Sequence, residues 1–137
     1  MWKKFDLTTT EEQNSDVSMQ IVNVKGYLDS STFQDLQDHL HKLIDDGKSR
    51  VVVEFGELNY ISSAGLGVLM GMLQEARENG GDLKLANMST KVRNLFDMLG
   101  FSRLIRIYED VDSAKQAFVD DANAGGKAET TPMEDNY

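Results

Sequence analysis

Two adjacent hydroxyls, Ser62 and Ser63, stand between Asn59-Tyr60-Ile61 and a segment holding three glycines, Gly65, Gly67 and Gly71. A serine ahead of a helix commonly serves as its N-cap, accepting a hydrogen bond from a first-turn amide. The position also suits a second use. Helix N-termini offer unpaired amides and positive dipole potential. A phosphoryl group on either hydroxyl would be held there while adding about −1.5 to −2 charges to an exposed corner. Nucleophilic catalysis finds no support, because Ser63-Ala64-Gly65 lacks the leading glycine of a nucleophile elbow and no histidine is placed to activate a hydroxyl. Gly65-Leu66-Gly67 is not followed by the third glycine of a dinucleotide loop, and no Gly-Lys-Ser/Thr phosphate loop occurs. No catalytic residue is assigned, and an enzyme is not expected.

Other chemistries are narrower still. The chain contains no cysteine, which removes disulfides, thiolate zinc sites and cysteine nucleophiles. His39 and His41 are its only imidazoles. Two apart on an expected helix, they diverge and cannot form an i, i+4 metal pair. Neither a metal nor a cofactor is expected. A net charge of −9 repels nucleic acid and anionic membrane surfaces. No apolar stretch approaches membrane-spanning length, and no apolar run follows Lys3 and Lys4 as a signal peptide would require. A cytoplasmic location is expected.

The elements that must position the serines follow from periodicity. A chain of 137 residues, 40% hydrophobic, suits one globular domain. Phe5 to Leu7 reads as a possible edge strand ahead of the polar stretch Thr8 to Asn14. Val17, Met19 and Ile21 alternate as a half-buried strand. Val22 and Val24 take the opposite parity, which predicts a face switch or bulge near Ile21. Ser31 and Gln34 have capping-box spacing for a helix over about 32–45, with Phe33, Leu36, Leu40, Leu43 and Ile44 on one stripe. Val51 to Phe55 reads as a central strand covered on both faces.

After the serines, Leu66, Leu69, Met70 and Leu73 form a second helical stripe closed by Asn79-Gly80-Gly81. Leu83 and Leu85 alternate in a strand ending near Ala86. Ser89 caps a third helix ended by Gly100, Leu104 to Ile107 form the last strand, and Val111 to Phe118 a short final helix. Alternating helices and strands predict an α/β domain with a mixed, mostly parallel sheet flanked by about four helices, its first strands antiparallel. The domain is placed at residues 1–119. Residues 120–137 hold the only proline, a Gly125-Gly126 pair and five acids against one lysine, the composition of a disordered acidic tail.

Three glycines inside one helix need a reason, since each costs roughly 0.8–1 kcal/mol relative to alanine. Either the helix packs tightly on its own sheet, or a partner lies along its first two turns; spacing alone does not choose. Met72 lies off the Leu66–Leu73 stripe and is placed as an adaptable contact, whereas Met70 reads as core.

Several segments together resemble the anti-sigma-factor antagonist family, built on the STAS domain. They are Gly26-Tyr27-Leu28-Asp29 with Thr32, the strand Val51 to Phe55, Tyr60-Ile61-Ser62-Ser63-Ala64-Gly65-Leu66-Gly67, Gly80-Gly81-Asp82-Leu83-Lys84-Leu85, and Val92-Arg93-Asn94-Leu95-Phe96 through Gly100-Phe101. The resemblance spans about residues 15–118. It implies a partner-switching cycle in which the unphosphorylated protein binds an anti-sigma factor that is also a serine kinase. Phosphorylation ejects it, and a serine phosphatase resets it. ATP and magnesium belong to the kinase. Carried onto this chain, the acceptor is Ser63, with Ser62 the alternative, and the docking surface comprises Asp29, Ser62, Ser63, Ala64, Gly65, Gly67 and Met72. The family often has aspartate where this chain has Ser62. Rival functions are a STAS accessory or scaffold subunit of a transport or signalling assembly, and a small-ligand-binding module.

Overall fold

The structure is a computed structural model and describes residues 5–124. Strand β1 (Phe5–Asn14) turns at Ser15, in the left-handed region with φ 58°, and pairs antiparallel with β2 (Val17–Leu28) along its whole length. The chain then alternates through α1 (Phe33–Asp45), β3 (Arg50–Ile61), α2 (Ser63–Glu78), β4 (Asp82–Ala86) and α3 (Thr90–Met98). A single 3-10 turn, Phe101–Arg103, leads to the two-residue β5 (Ile107–Tyr108), and α4 (Val111–Asn123) closes the domain. Sheet order is β1-β2-β3-β4-β5, with β2 to β5 parallel. The expected mixed, mostly parallel α/β sheet with four helices is the observed one.

Parallel neighbours joined in sequence order require every crossover to turn the same way, so the intervening helices collect on one face. Leu36, Leu40 and Ile44 of α1, Leu66, Leu69 and Leu73 of α2, and Val92 and Phe96 of α3 share one core with Val22, Val24, Val51, Val53 and Phe55. The final helix takes the other face. Ala114, Phe118 and Val119 of α4 cover Val17, Met19, Ile21, Val52 and Ala86.

This second layer corrects the reading of β2. Both parities of the strand are buried because each faces a different layer, not because the strand switches faces at Ile21. Its irregularities against β3 fall instead between Asn23 and Lys25 and between Gly26 and Tyr27. Three other expectations change. The Ser31–Gln34 capping box does not form: the N-cap of α1 is Thr32, which makes no side-chain cap bond. Of the expected last strand, Leu104 to Ile107, only Ile107 pairs with β4, joined there by Tyr108, while a 3-10 turn at residues 101–103 precedes it. Finally, α4 runs to Asn123, so Asp120 to Asn123 are helical, four residues beyond the expected domain boundary. The rest of the expected tail, from residue 125, lies outside the described residues.

Candidate functional site

The Ser62–Ser63 corner is built by the two central parallel strands. Register pairs Tyr27 with Tyr60 and Leu28 with Ile61. The Ser62 amide then donates to the Leu28 carbonyl at 2.8 Å, extending the ladder by one bond before the chain enters α2. Ser62 has extended backbone and acts as the N-cap, its Oγ accepting from the Gly65 amide at 3.3 Å while its carbonyl accepts from Leu66 at 2.9 Å. Ser63, the first helical residue, is exposed; Ser62 and Ala64 are half-buried. No acidic side chain occupies the first turn of α2, which leaves the positive end of the helix dipole unopposed by its own residues.

Asp29 follows Leu28 as Ser62 follows Ile61, so both lie at the C-terminal ends of neighbouring strands. Its carboxylate Oδ1 accepts from the Ser31 amide at 2.9 Å and the Ser31 hydroxyl at 2.7 Å. Its own amide donates to Thr32 Oγ1 at 2.9 Å, and that hydroxyl donates to the Tyr27 carbonyl at 2.7 Å. An aspartate turn of this kind replaces the expected capping box as the device that launches α1.

The glycines divide into two kinds. A Cβ at Gly65 would stand 2.8 Å from Leu28 Cγ, 3.0 Å from Leu28 Cδ2 and 3.1 Å from Ile61 Cγ1, so this glycine lets α2 sit directly on its own sheet. A Cβ at Gly67 or Gly71 would meet nothing within 4 Å, and both residues are exposed. Packing within the chain therefore accounts for the first and leaves the other two unexplained.

Of the two methionines of α2, one changes the place given it above. Met72 is 5% exposed and belongs to the main core, which removes it as a surface contact. Met70 is half-buried, packs against the same core as expected, and also lines an outer groove. The buried face of α2 is broader than the Leu66–Leu73 stripe because α1 packs along one flank as well as the sheet below.

His39 is half-buried, touches Thr9, and is held below the usual imidazole range by desolvation. His41 joins α1 to α2: its Nδ1 meets Glu75 Oε2 at 2.6 Å and its Nε2 lies 3.5 Å from Asp45 Oδ2. The two carboxylates take opposite ring nitrogens, so one imidazole bridges the two helices. The main buried charge lies elsewhere and was hidden in the Leu83–Leu85 alternation. Lys84, 1% exposed, donates to Asp82 at 2.9 Å and Asp121 at 3.0 Å, with its ammonium 4.5 Å from the centre of the Phe118 ring. Burial would pull this ammonium down, but Asp82, Tyr108 and Asp121 outweigh it and hold Lys84 above the ordinary lysine value.

A mixed five-stranded sheet, three helices on one face and an exposed serine where a central strand enters its helix define an α/β domain whose distinctive corner is a helix entrance. The chain belongs to the STAS domain family, whose sequence profile matches residues 9–114. BtrV of Bordetella bronchiseptica, assigned as an anti-sigma factor antagonist, is 33% identical over 100 residues, covering 73% of this chain and 86% of that protein. The anti-sigma-B factor antagonist of Staphylococcus aureus is 28% identical over 105 residues, 77% of this chain and 93% of its own length. Among solved structures, the Bacillus anti-sigma factor antagonist SpoIIAA shares the fold. Its unphosphorylated form aligns with a TM-score of 0.64 and 19% identity, covering 80% of this chain and 96% of that one. Its phosphorylated form aligns with a TM-score of 0.59 and 18% identity, covering 80% and 99%. No helix among the described residues is long and apolar enough to cross a membrane.

Proposed function

We propose that this chain is an anti-sigma factor antagonist that works by partner switching, with Ser63 as its phosphorylated residue. Unphosphorylated, it binds an anti-sigma factor that is also a serine kinase and so frees the sigma factor. The kinase transfers the γ-phosphoryl of ATP to Ser63 Oγ, ADP leaves, the hydroxyl proton is released, and the charged product dissociates. A serine phosphatase hydrolyses the ester and restores the binding form. The names of the relatives support the class of partner, and one observation carries the choice of residue. Ser63 is exposed at the first helical position, whereas the Ser62 hydroxyl is engaged as the N-cap of the same helix.

The physics of release is local. A dianion at Ser63 gains from the helix dipole and the first-turn amides, so the modified protein remains folded. A partner surface shaped for a neutral hydroxyl must then bury that charge or meet it with its own acids, a penalty of several kcal/mol. Asp29, Ala64 and Gly67 border the corner and complete the docking face, while Gly65 fixes its height above the sheet.

The test combines two measurements. Mass spectrometry of the protein from its native cells, with and without phosphatase treatment, is expected to find phosphate on Ser63. Phosphate on neither serine under any condition would favour a scaffold role instead. In parallel, Ser63→Asp is expected to bind a purified anti-sigma factor kinase at least about tenfold more weakly than Ser63→Ala. Equal binding would remove charge at the helix entrance as the controlling variable.

A further inference from the structure

Beyond the serine corner, α2 borders a shallow groove of about 400 Å³ lined by Met70, Leu73, Gln74 and, from the segment after α3, Leu104. The end of α3 and the segment after it carry three of the exposed large apolar side chains among the described residues: Met98 at 76%, Leu99 at 54% and, lining the groove itself, Leu104 at 41%. We infer that this groove is the anchoring half of the docking face, and that its occupant is the apolar side of a helix from the anti-sigma factor kinase. The inference rests on the function proposed above.

Continuity carries it first. Ser63, Gly67, Met70 and Gln74 succeed one another at steps of four, three and four, so they share one side of α2. Ser63 and Gln74 are about 16 Å apart along the axis at 1.5 Å per residue. A partner helix laid along this side would read the hydroxyl at one end and place apolar side chains in the groove at the other, the familiar helix-in-groove mode.

Other occupants fit less well. A second copy of the chain would bring together two molecules of charge −9. The chain's own C-terminal residues 125–137 offer Met133 and Tyr137 as their only bulky apolar side chains, against three acids. A small polar ligand would find few donors, since Arg77 at the groove edge is already bound to Asp82 at 2.8 Å. A long amphipathic surface remains. It divides the labour of recognition: the groove selects which partner docks, and Ser63 decides when.

Leu104→Glu tests this, with Leu104→Met as the conservative control and Ser63→Asp as the reference. Binding to a purified anti-sigma factor kinase that phosphorylates this chain is measured by calorimetry, beside thermal midpoints and sedimentation. The expectation is that Leu104→Glu weakens binding of the unphosphorylated chain by about tenfold or more, that Leu104→Met restores it, and that all three variants keep the wild-type thermal midpoint. Should Leu104→Glu fail to fold, Gln74→Trp, which fills the groove from an exposed position, carries the same expectation. If Leu104→Glu binds within about twofold of wild type while Ser63→Asp does not, the groove is overturned and the serine switch survives. If Ser63→Asp also binds like wild type, the switch itself fails. A wild-type dimer that Leu104→Glu dissociates would make the occupant a second copy and overturn the inference.

Discussion

Replacing Gly65, Gly67 and Gly71 by alanine, one at a time, applies the same chemical change at three positions of one helix and is expected to give opposite results. At each site the substitution gains helix propensity, up to about 1 kcal/mol in the interior. At Gly67 and Gly71 the new methyl enters open space, so the propensity gain stands and both variants should be more stable by roughly 0.5–1 kcal/mol. At Gly65 the methyl arrives 2.8 Å from Leu28 Cγ and 3.1 Å from Ile61 Cγ1, where carbon atoms ordinarily stand about 3.5–4.0 Å apart.

Leu28 cannot swing away, because it is wholly buried and its Cγ lies near the backbone rather than at the tip of the side chain. Overpacking of this kind costs about 1–3 kcal/mol, which offsets or exceeds the propensity gain. The difference between Gly65→Ala and Gly67→Ala isolates the packing term, since the propensity term largely cancels. It should reach about 1–3 kcal/mol. Urea titration reads it as separate midpoints at a common slope. Equal midpoints for all three variants would refute the division of the glycines into one that packs and two that are bare.

Two further predictions concern charge. Lys84→Ala, which leaves Asp82 and Asp121 without their ammonium, should destabilise by roughly 2–4 kcal/mol, the partial exposure of those acids keeping it toward the lower part of the range for broken buried pairs; Lys84→Met should recover much of the loss through packing. Because the folded-state value of Lys84 is raised, its contribution is complete below the unfolded lysine value near pH ~10.4 and disappears as pH climbs through the folded one. A thermal midpoint falling equally in wild type and Lys84→Met between neutral and strongly alkaline pH would contradict this. Asp110 caps α4 by accepting from the Ser113 amide at 2.7 Å, and that bond lowers its pKa. Its stabilisation is therefore present above the unfolded aspartate value of about 3.9 and is lost as pH falls through the folded value. Asp110→Asn, which caps without titrating, should lack that acid step in a pH series of thermal midpoints.

What the sequence disclosed follows the range of the interactions involved. The stripe of α1 was legible because Leu36, Leu40 and Ile44 meet a single surface, and helical periodicity encodes a single surface well. Strand β2 misled for the opposite reason. Met19 and Val22 are both wholly buried, one beneath α4 and one beneath the helices of the other face, and nothing local announces that a helix some 90 residues later covers Met19. The capping box at Ser31 was plausible by spacing but lost to the turn made by the Asp29 carboxylate, which engages Ser31 first. Met72 looked peripheral until α1 proved to lie along that flank of α2. At the site, the serine pair and the glycine segment were visible from residue types alone. The separate natures of Gly65 and Gly67 were not, because they depend on what stands across from each one in space.

The bond from the Ser62 amide to the Leu28 carbonyl, with Gly65 seated on the Leu28 side chain, has a consequence for timing. The entrance to α2 is tied to the middle of the sheet by a backbone bond and by direct helix-to-sheet packing. A corner held in this way favours signalling by direct contact over a rearrangement of the fold. Were Ser63 modified as proposed, the switch would turn over as fast as its modifying enzymes act, with no delay imposed by the domain itself.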